Sequence, residues 1–210
     1  MLTDKLPDPW NATFLERKKA IQRRLQDFSE IPKEHYFYEL AFCILTPQSS
    51  AENAEKTIAE LEQDQFFERG FDPTSYLRDS KHYIRFHNTK AKRLLHIRET
   101  FGELLPNLTN LTLAAQTKRE FVLANVNGLG MKEASHFLRN IGVRNLAILD
   151  RHIFKHLVRL KVINAVPTSL TKKRYLKIEK KWQRFAEKIG IPIDELDLLF
   201  WSMETGEILK

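Results

Sequence analysis

Apolar residues recur along almost the whole chain at steps of three, four and seven, the period of an amphipathic helix. Between Asn11 and Phe28, the residues Phe14, Ile21, Leu25 and Phe28 mark one face, while Arg17, Lys18, Lys19, Arg23 and Arg24 occupy the others. Lys33 to Leu45 is apolar nearly all round, as a central core helix would be. Ser49, followed three residues later by Glu52, reads as a capping box opening a helix over Ala51 to Leu61. Further helices are expected over Pro73 to Arg78, Asn88 to Phe101, Lys118 to Ala124, Met131 to Arg139, Arg151 to Arg159, Lys172 to Lys188 and Asp194 to Trp201. In the long one, Tyr175, Ile178, Trp182, Phe185 and Ile189 form an apolar stripe inside a ring of lysines and arginines. Pro167, Pro192, Gly142 and Gly190 fall between elements, where breakers belong. No stretch alternates with period two between hairpin turns, the nearest being Leu146 to Leu149. The pattern predicts an all-α fold. If the helices form two lobes, the hinges are expected near Leu45 to Ser50 and Phe101 to Asn110.

Composition adds a partner class. The chain has 210 residues with 34 Lys and Arg against 27 Asp and Glu, a formal charge of +7. Such a balance favours an acidic polymer without requiring one. With 42% hydrophobic and 10% aromatic residues, the chain is a packed globule and not a disordered tail. Cys43 is the only cysteine, which excludes an internal disulfide and a four-cysteine metal or iron–sulfur site, and its apolar neighbours make it a small buried hydrophobe. Neither a signal peptide nor a membrane-spanning run is present in the sequence, so a cytoplasmic protein is expected.

The stretch richest in chemistry is Val126-Asn127-Gly128-Leu129-Gly130, between two expected helices. Two glycines around one apolar residue make a tight turn in which Leu129 faces the core and backbone amides face outward. With the N-terminus of the next helix, those amides suit a phosphate. Taken alone, this is also what a plain structural turn looks like. Lys132 follows in the first helical turn, and Asp150 lies eighteen residues beyond it, delivered by an apolar run to the start of a helix. There the free N–H groups and helix dipole favour an anion, so Asp150 reads equally well as an N-cap.

Together these residues resemble the active-site segment of the helix–hairpin–helix DNA glycosylases, whose pattern is apolar-x-Gly-apolar-Gly, a Lys two positions later, and Asp-x-His. Val126 to Gly130, Lys132 and Asp150-Arg151-His152 match it position by position. The likeness is closer still to the type-2 8-oxoguanine DNA glycosylase/AP lyases. Like them, the chain carries Cys43-Ile44-Leu45-Thr46-Pro47-Gln48-Ser49-Ser50, Arg85-Phe86 with Lys90-Ala91, Lys132-Glu133-Ala134-Ser135-His136, and a terminal Lys210. The resemblance spans about residues 35–210. Two departures stand out. The chain lacks the four-cysteine loop of endonuclease III-like members, and Asn127 stands where relatives usually have proline.

The resemblance implies one glycosylase unit over 1–210, two helical lobes with the active site in the cleft between them, and a helix–hairpin–helix motif over 118–140. It implies Lys132 as nucleophile and Asp150 as the carboxylate partner. Desolvation and neighbouring cations would favour the neutral lysine that attack requires. For base recognition it points to Phe86 and Trp201 as stacking rings and to Lys210, whose carboxylate would accept from the N7–H that distinguishes 8-oxoguanine from guanine. Gln48 would fill the space left by the flipped nucleotide, and Gly128, Gly130 and His152 would contact DNA. The implied partner is duplex DNA containing 8-oxoguanine, met by a monomer, nucleoid-associated, with no metal or organic cofactor. Two alternatives remain at this point: the same chemistry on another oxidised base, or a non-catalytic DNA-binding module.

Overall fold

The computed structural model describes residues 5–208, and among these every regular element is helical. Besides a 3-10 turn at Lys33–His35, they are in chain order α1 (Trp10–Ser29), α2 (Tyr36–Leu45), α3 (Ala51–Gln63), α4 (Phe66–Arg69), α5 (Thr74–Leu77), α6 (His87–Thr109), α7 (Ala115–Asn125), α8 (Met131–Asn140), α9 (Arg151–Arg159), α10 (Lys172–Ile189) and α11 (Ile193–Thr205). No described helix is long and apolar enough to cross a membrane.

The chain divides into two compact units, residues 31–137 and the discontinuous pair 1–30 with 138–210. The expected hinge stretches at 45–50 and 101–110 both lie inside the first of these. The actual boundaries lie elsewhere because α1 packs against α11, far away in sequence, and no local breaker reveals such a pairing.

In the 31–137 unit, α2 is buried from Phe37 to Leu45, with α3 and α6 packed on it. Phe37 meets the rings of Phe66, Phe67 and Phe101. Cys43 is free and buried. α6 runs through Pro106 to Thr109, well past the expected end at Phe101. Close to its C-terminus, Leu108 O accepts from the buried ammonium of Lys118 at 2.7 Å, which satisfies a carbonyl the helix leaves open.

In the other unit, α1 buries Phe14, Ile21, Leu25 and Phe28 as its periodicity requires, and Arg17 donates to Ser202 O on α11 at 2.6 Å. Trp182 of α10 stacks on Phe200 of α11 in the core. The run Leu146 to Leu149 is buried and forms no strand. Side chains of α10 take the place of a strand partner: Ala147 N–H donates to Glu179 Oε1 at 2.8 Å, Tyr175 O–H to Ala147 O at 2.5 Å, and Leu149 N–H to Tyr175 Oη at 3.2 Å. This tethering delivers Asp150 to the start of α9.

Candidate active site

In the 31–137 unit, the site is built on the turn from α7 into α8. Arg119 of α7 is fully buried and donates to Ser135 Oγ of α8 at 3.0 Å, while Ser135 donates back to Met131 O at 2.8 Å. The Arg119 bond pins α7 to α8 across the hairpin, and the Ser135 bond back to its own helix orients the hydroxyl that receives it. Gly128 has φ +90°, a conformation that disfavours any Cβ, and a Cβ there would lie 2.3–2.4 Å from atoms of the Arg93 guanidinium. Leu129 is half-buried.

Gly130 N–H donates to Glu133 Oε2 at 3.2 Å, and Gly130 O accepts from Ala134 N–H at 2.9 Å. This is the backbone half of a capping box. One hairpin amide is therefore occupied by a carboxylate in the very place where an anion belongs. Lys132 lies in the first turn of α8 with its side chain 30% exposed, and its Nζ is 3.5 Å from Glu133 Oε1. Glu133 thus links the hairpin amide to the lysine. The neighbour expected for Lys132 was a cation, and the side chain paired with it is a carboxylate.

The same unit carries Gln48 and Phe86, both exposed and both with positive φ, 58° and 62°. Phe86 is the N-cap residue of α6, and the Arg85 guanidinium lies 5.0 Å from its ring centroid. Near Gln48, the helix cap differs from expectation. Ser50, not Ser49, caps α3 by accepting from Asn53 N–H at 3.0 Å, because Ser49 Oγ is engaged with Arg85 N–H and Lys90 Nζ.

In the other unit, Asp150 is the N-cap of α9. Its Oδ1 accepts from His152 N–H and Ile153 N–H, each at 2.8 Å, and its Oδ2 accepts from Trp201 Nε1 at 2.9 Å. The cap reading is correct, and it leaves the second oxygen for the indole. His152 lies beside Trp201 with ring centroids 5.3 Å apart. Its Nε2 accepts from Arg151 at 3.1 Å, and its Nδ1 faces Glu204 Oε2 at 3.3 Å. Glu204 is held well below the ordinary carboxylate range, at about 2, chiefly by the Lys155 hydrogen bond at 2.8 Å and next by His152.

The structure thus brings Asp150, His152 and Trp201 together, and groups Lys132 with Gly128 and Gly130. Lys210 lies outside the described residues. Among the described residues, no group of three or more His, Cys, Asp or Glu side chains is placed to hold a metal ion. Sequence reasoning did not single out Arg93, Arg119 or Glu204. Nothing in a local pattern marks them, because each acts on a residue distant in the chain. Glu133 does carry a local signal, its position three residues after Gly130 being that of the acidic member of a capping box.

Comparison with known proteins settles the family. The sequence profile described as 8-oxoguanine DNA glycosylase matches residues 21–191. The chain belongs to this 8-oxoguanine DNA glycosylase family. Within it, the chain is 41% identical over 206 residues to the 8-oxoguanine DNA glycosylase/AP lyase of Fusobacterium nucleatum, covering 94% of each. It is also similar to the 8-oxoguanine DNA glycosylase of Thermotoga maritima, with a TM-score of 0.82 and 33% identity over 96% of each chain. Against the Methanocaldococcus jannaschii 8-oxoguanine glycosylase/lyase, solved in complex with a 15mer DNA containing 8-oxoguanine, the TM-score is 0.80 at 31% identity, covering 95% of this chain and 98% of that one. The all-α fold of this family is the one that the helical periodicity predicts.

Proposed function

We propose that this family member excises 8-oxoguanine from duplex DNA through an imine on Lys132 and then nicks the abasic strand by β-elimination, acting as glycosylase and AP lyase in one chain. The observation that carries this reading is a partly buried lysine in the first turn of the helix that leaves the Gly128-Leu129-Gly130 hairpin.

Lys132 Nζ attacks C1′ of the flipped nucleotide, and the glycosidic bond breaks with its electron pair leaving on the base, which takes up a proton. The sugar ring opens to the imine. Loss of a C2′ proton then expels the 3′ phosphate. Attack requires the neutral amine, and Glu133, 3.5 Å away, is the acceptor at hand for its proton. Asp150 stabilises the positive charge that develops at C1′ and assists the proton transfers. Its carboxylate is oriented by two backbone N–H groups and the Trp201 indole.

Phe86 and Trp201 stack on the oxidised purine, and Lys210 takes part in its recognition. Gln48 occupies the vacated position in the duplex. The hairpin glycines and His152 contact the backbone, where a phosphate at the hairpin would compete with Glu133 for Gly130 N–H. The partner is double-stranded DNA with the lesion, engaged by a monomer at the chromosome in the cytoplasm.

Borohydride trapping tests the reading, using duplexes that carry 8-oxoguanine, thymine glycol, an abasic site or plain guanine, with wild type beside Lys132→Gln. A lysine-dependent covalent band strongest on 8-oxoguanine is expected. A band on the abasic site alone would retain the lyase and overturn the base assignment. No band on any duplex would overturn catalysis in favour of a DNA-binding module.

A further inference from the structure

Two exposed residues of the 31–137 unit occupy the left-handed backbone region that neither glutamine nor phenylalanine favours, Gln48 with φ 58° and Phe86 with φ 62°. Positions of this kind persist where the surroundings over-determine them. Gln48 sits in a β-turn closed by Ser49 N–H donating to Thr46 O at 3.0 Å. Pro47 is the second residue of that turn and Gln48 the third, where glycine or asparagine is usual when φ is positive.

What holds this turn is Lys90, from the second turn of α6 and 2% exposed. Its ammonium has three protons, and it meets three acceptors: Leu45 O at 2.7 Å, Pro47 O at 2.7 Å and Ser49 Oγ at 3.2 Å. Leu45 O belongs to the last turn of α2, where a helix leaves its carbonyls open and partly negative. The other two acceptors flank Gln48. Ser49 Oγ also accepts from the N–H of Arg85, the residue before Phe86, at 3.0 Å. The Lys90 backbone N–H closes the first turn of α6 on Phe86 O at 3.0 Å. One residue therefore reaches both strained positions. Burial, helped by Arg93, lowers Lys90 to about 8 from its ordinary value, which disfavours the cation but still leaves it protonated near neutral pH.

We infer that Lys90 is a positioning residue for lesion capture, its ammonium holding the 46–49 turn and, through Ser49, the 85–86 corner in the conformations that present Gln48 and Phe86 to DNA. The inference rests on the proposed roles of Gln48 in filling the helix and Phe86 in stacking. Lys90 touches no substrate and acts through these two residues.

The test uses the full chain on a duplex with 2-aminopurine beside 8-oxoguanine. Wild type should give a fluorescence rise on binding, followed by single-turnover excision. Lys90→Met keeps the stem and loses the donors. It should lose most of the fluorescence rise and excise at least tenfold more slowly, while trapping on a single-stranded abasic oligonucleotide, where no base needs extruding, stays within threefold of wild type. Ser49→Ala cuts the link to Arg85 N–H and leaves the buried stem alone. It should show the same split at three- to tenfold, and it carries the test should Lys90→Met not fold.

Fluorescence and excision equal to wild type in the folded variants overturn the inference. So does a fall in abasic trapping parallel to the fall in excision, the mark of a general loss of active enzyme. A wild type that traps on abasic DNA yet neither excises 8-oxoguanine nor raises fluorescence overturns the reading of Gln48 and Phe86 itself, and the role of Lys90 with it.

Discussion

Trp201 Nε1 donates to Asp150 Oδ2 at 2.9 Å, so the indole proposed to stack on the base also fixes the carboxylate proposed to face C1′. With the two amides on Oδ1, the carboxylate of Asp150 has one orientation. A hydrogen bond to a charged group contributes roughly 1.5–3 kcal/mol. Trp201→Phe keeps a stacking ring and removes the donor. It should slow single-turnover excision by about ten- to a hundredfold, on the scale of 1.4 kcal/mol per tenfold. Its effect on trapping at a preformed abasic site should be of similar size, because Asp150 serves both steps. A Phe variant with wild-type rates on both substrates would show that the indole N–H does not matter.

Asp150→Asn separates cap from catalyst. Asparagine caps helices about as well as aspartate, so its Oδ1 can still accept from His152 and Ile153 N–H. Its amide nitrogen would then confront the Trp201 N–H, donor against donor, where the carboxylate accepts. The expected result is a loss of stability of about 1–2 kcal/mol for the unpaired donor and a loss of turnover of a hundredfold or more, read by denaturant melts and single-turnover assays. Retained turnover would reduce Asp150 to a cap.

The parts of this structure legible in the sequence are those with a local cause. The stripe of Phe14, Ile21, Leu25 and Phe28 gave α1 to within a residue at each end, and Asp150 before an apolar helix gave its cap. The Gly128–Gly130 turn and the place of Lys132 in the first turn of the next helix were legible from local spacing, while their role was implied only by the resemblance. Non-local causes were not legible. Leu146 to Leu149 has the composition of a strand, but its partners are Glu179 and Tyr175, about thirty residues away on a helix. Ser49 and Glu52 have capping-box spacing, yet Lys90 and Arg85 claim Ser49 from the start of α6 and leave the cap to Ser50. The boundaries between units failed for the same reason, since the α1–α11 pairing joins the two ends of the chain.

Gly128→Ala probes the hairpin. The conformation at φ +90° penalises any Cβ, and the Arg93 guanidinium would have to swing away from it. The side chain can move cheaply, so the backbone term dominates, at roughly 1–2 kcal/mol. A drop of that size in unfolding free energy is expected. Duplex affinity should weaken as well, because the added methyl stands where the sugar-phosphate backbone is proposed to approach. An unchanged affinity on lesion duplex would move the DNA contact off this glycine.

The last prediction concerns acid. His156 is 1% exposed, and its ring stacks on Phe200 with centroids 4.6 Å apart. Its Nδ1 accepts from Trp10 Nε1 at 2.8 Å, so the proton of the neutral ring sits on Nε2. Burial drives the group down to about 4 from 6.5. Glu204, 3.5 Å from Nε2, pulls the other way, and Arg159 and His152 add to the lowering. Desolvation wins because the Glu204 charge is already shared with Lys155 and His152. Between about pH 6.5 and 4 the unfolded chain binds a proton at this histidine and the folded chain does not, so stability is complete above 6.5 and drains away as the pH falls through that window. At 1.36 kcal/mol per pKa unit, the loss is on the order of 3 kcal/mol. Glu204 adds its own loss only further into acid, below the ordinary carboxylate value and down to about 2. His156→Gln leaves an acceptor for Trp10 and removes the titration. Denaturant melts at pH 7, 6, 5 and 4 should therefore show a steep decline for wild type and a flatter one for the variant, and parallel declines would place the acid sensitivity elsewhere.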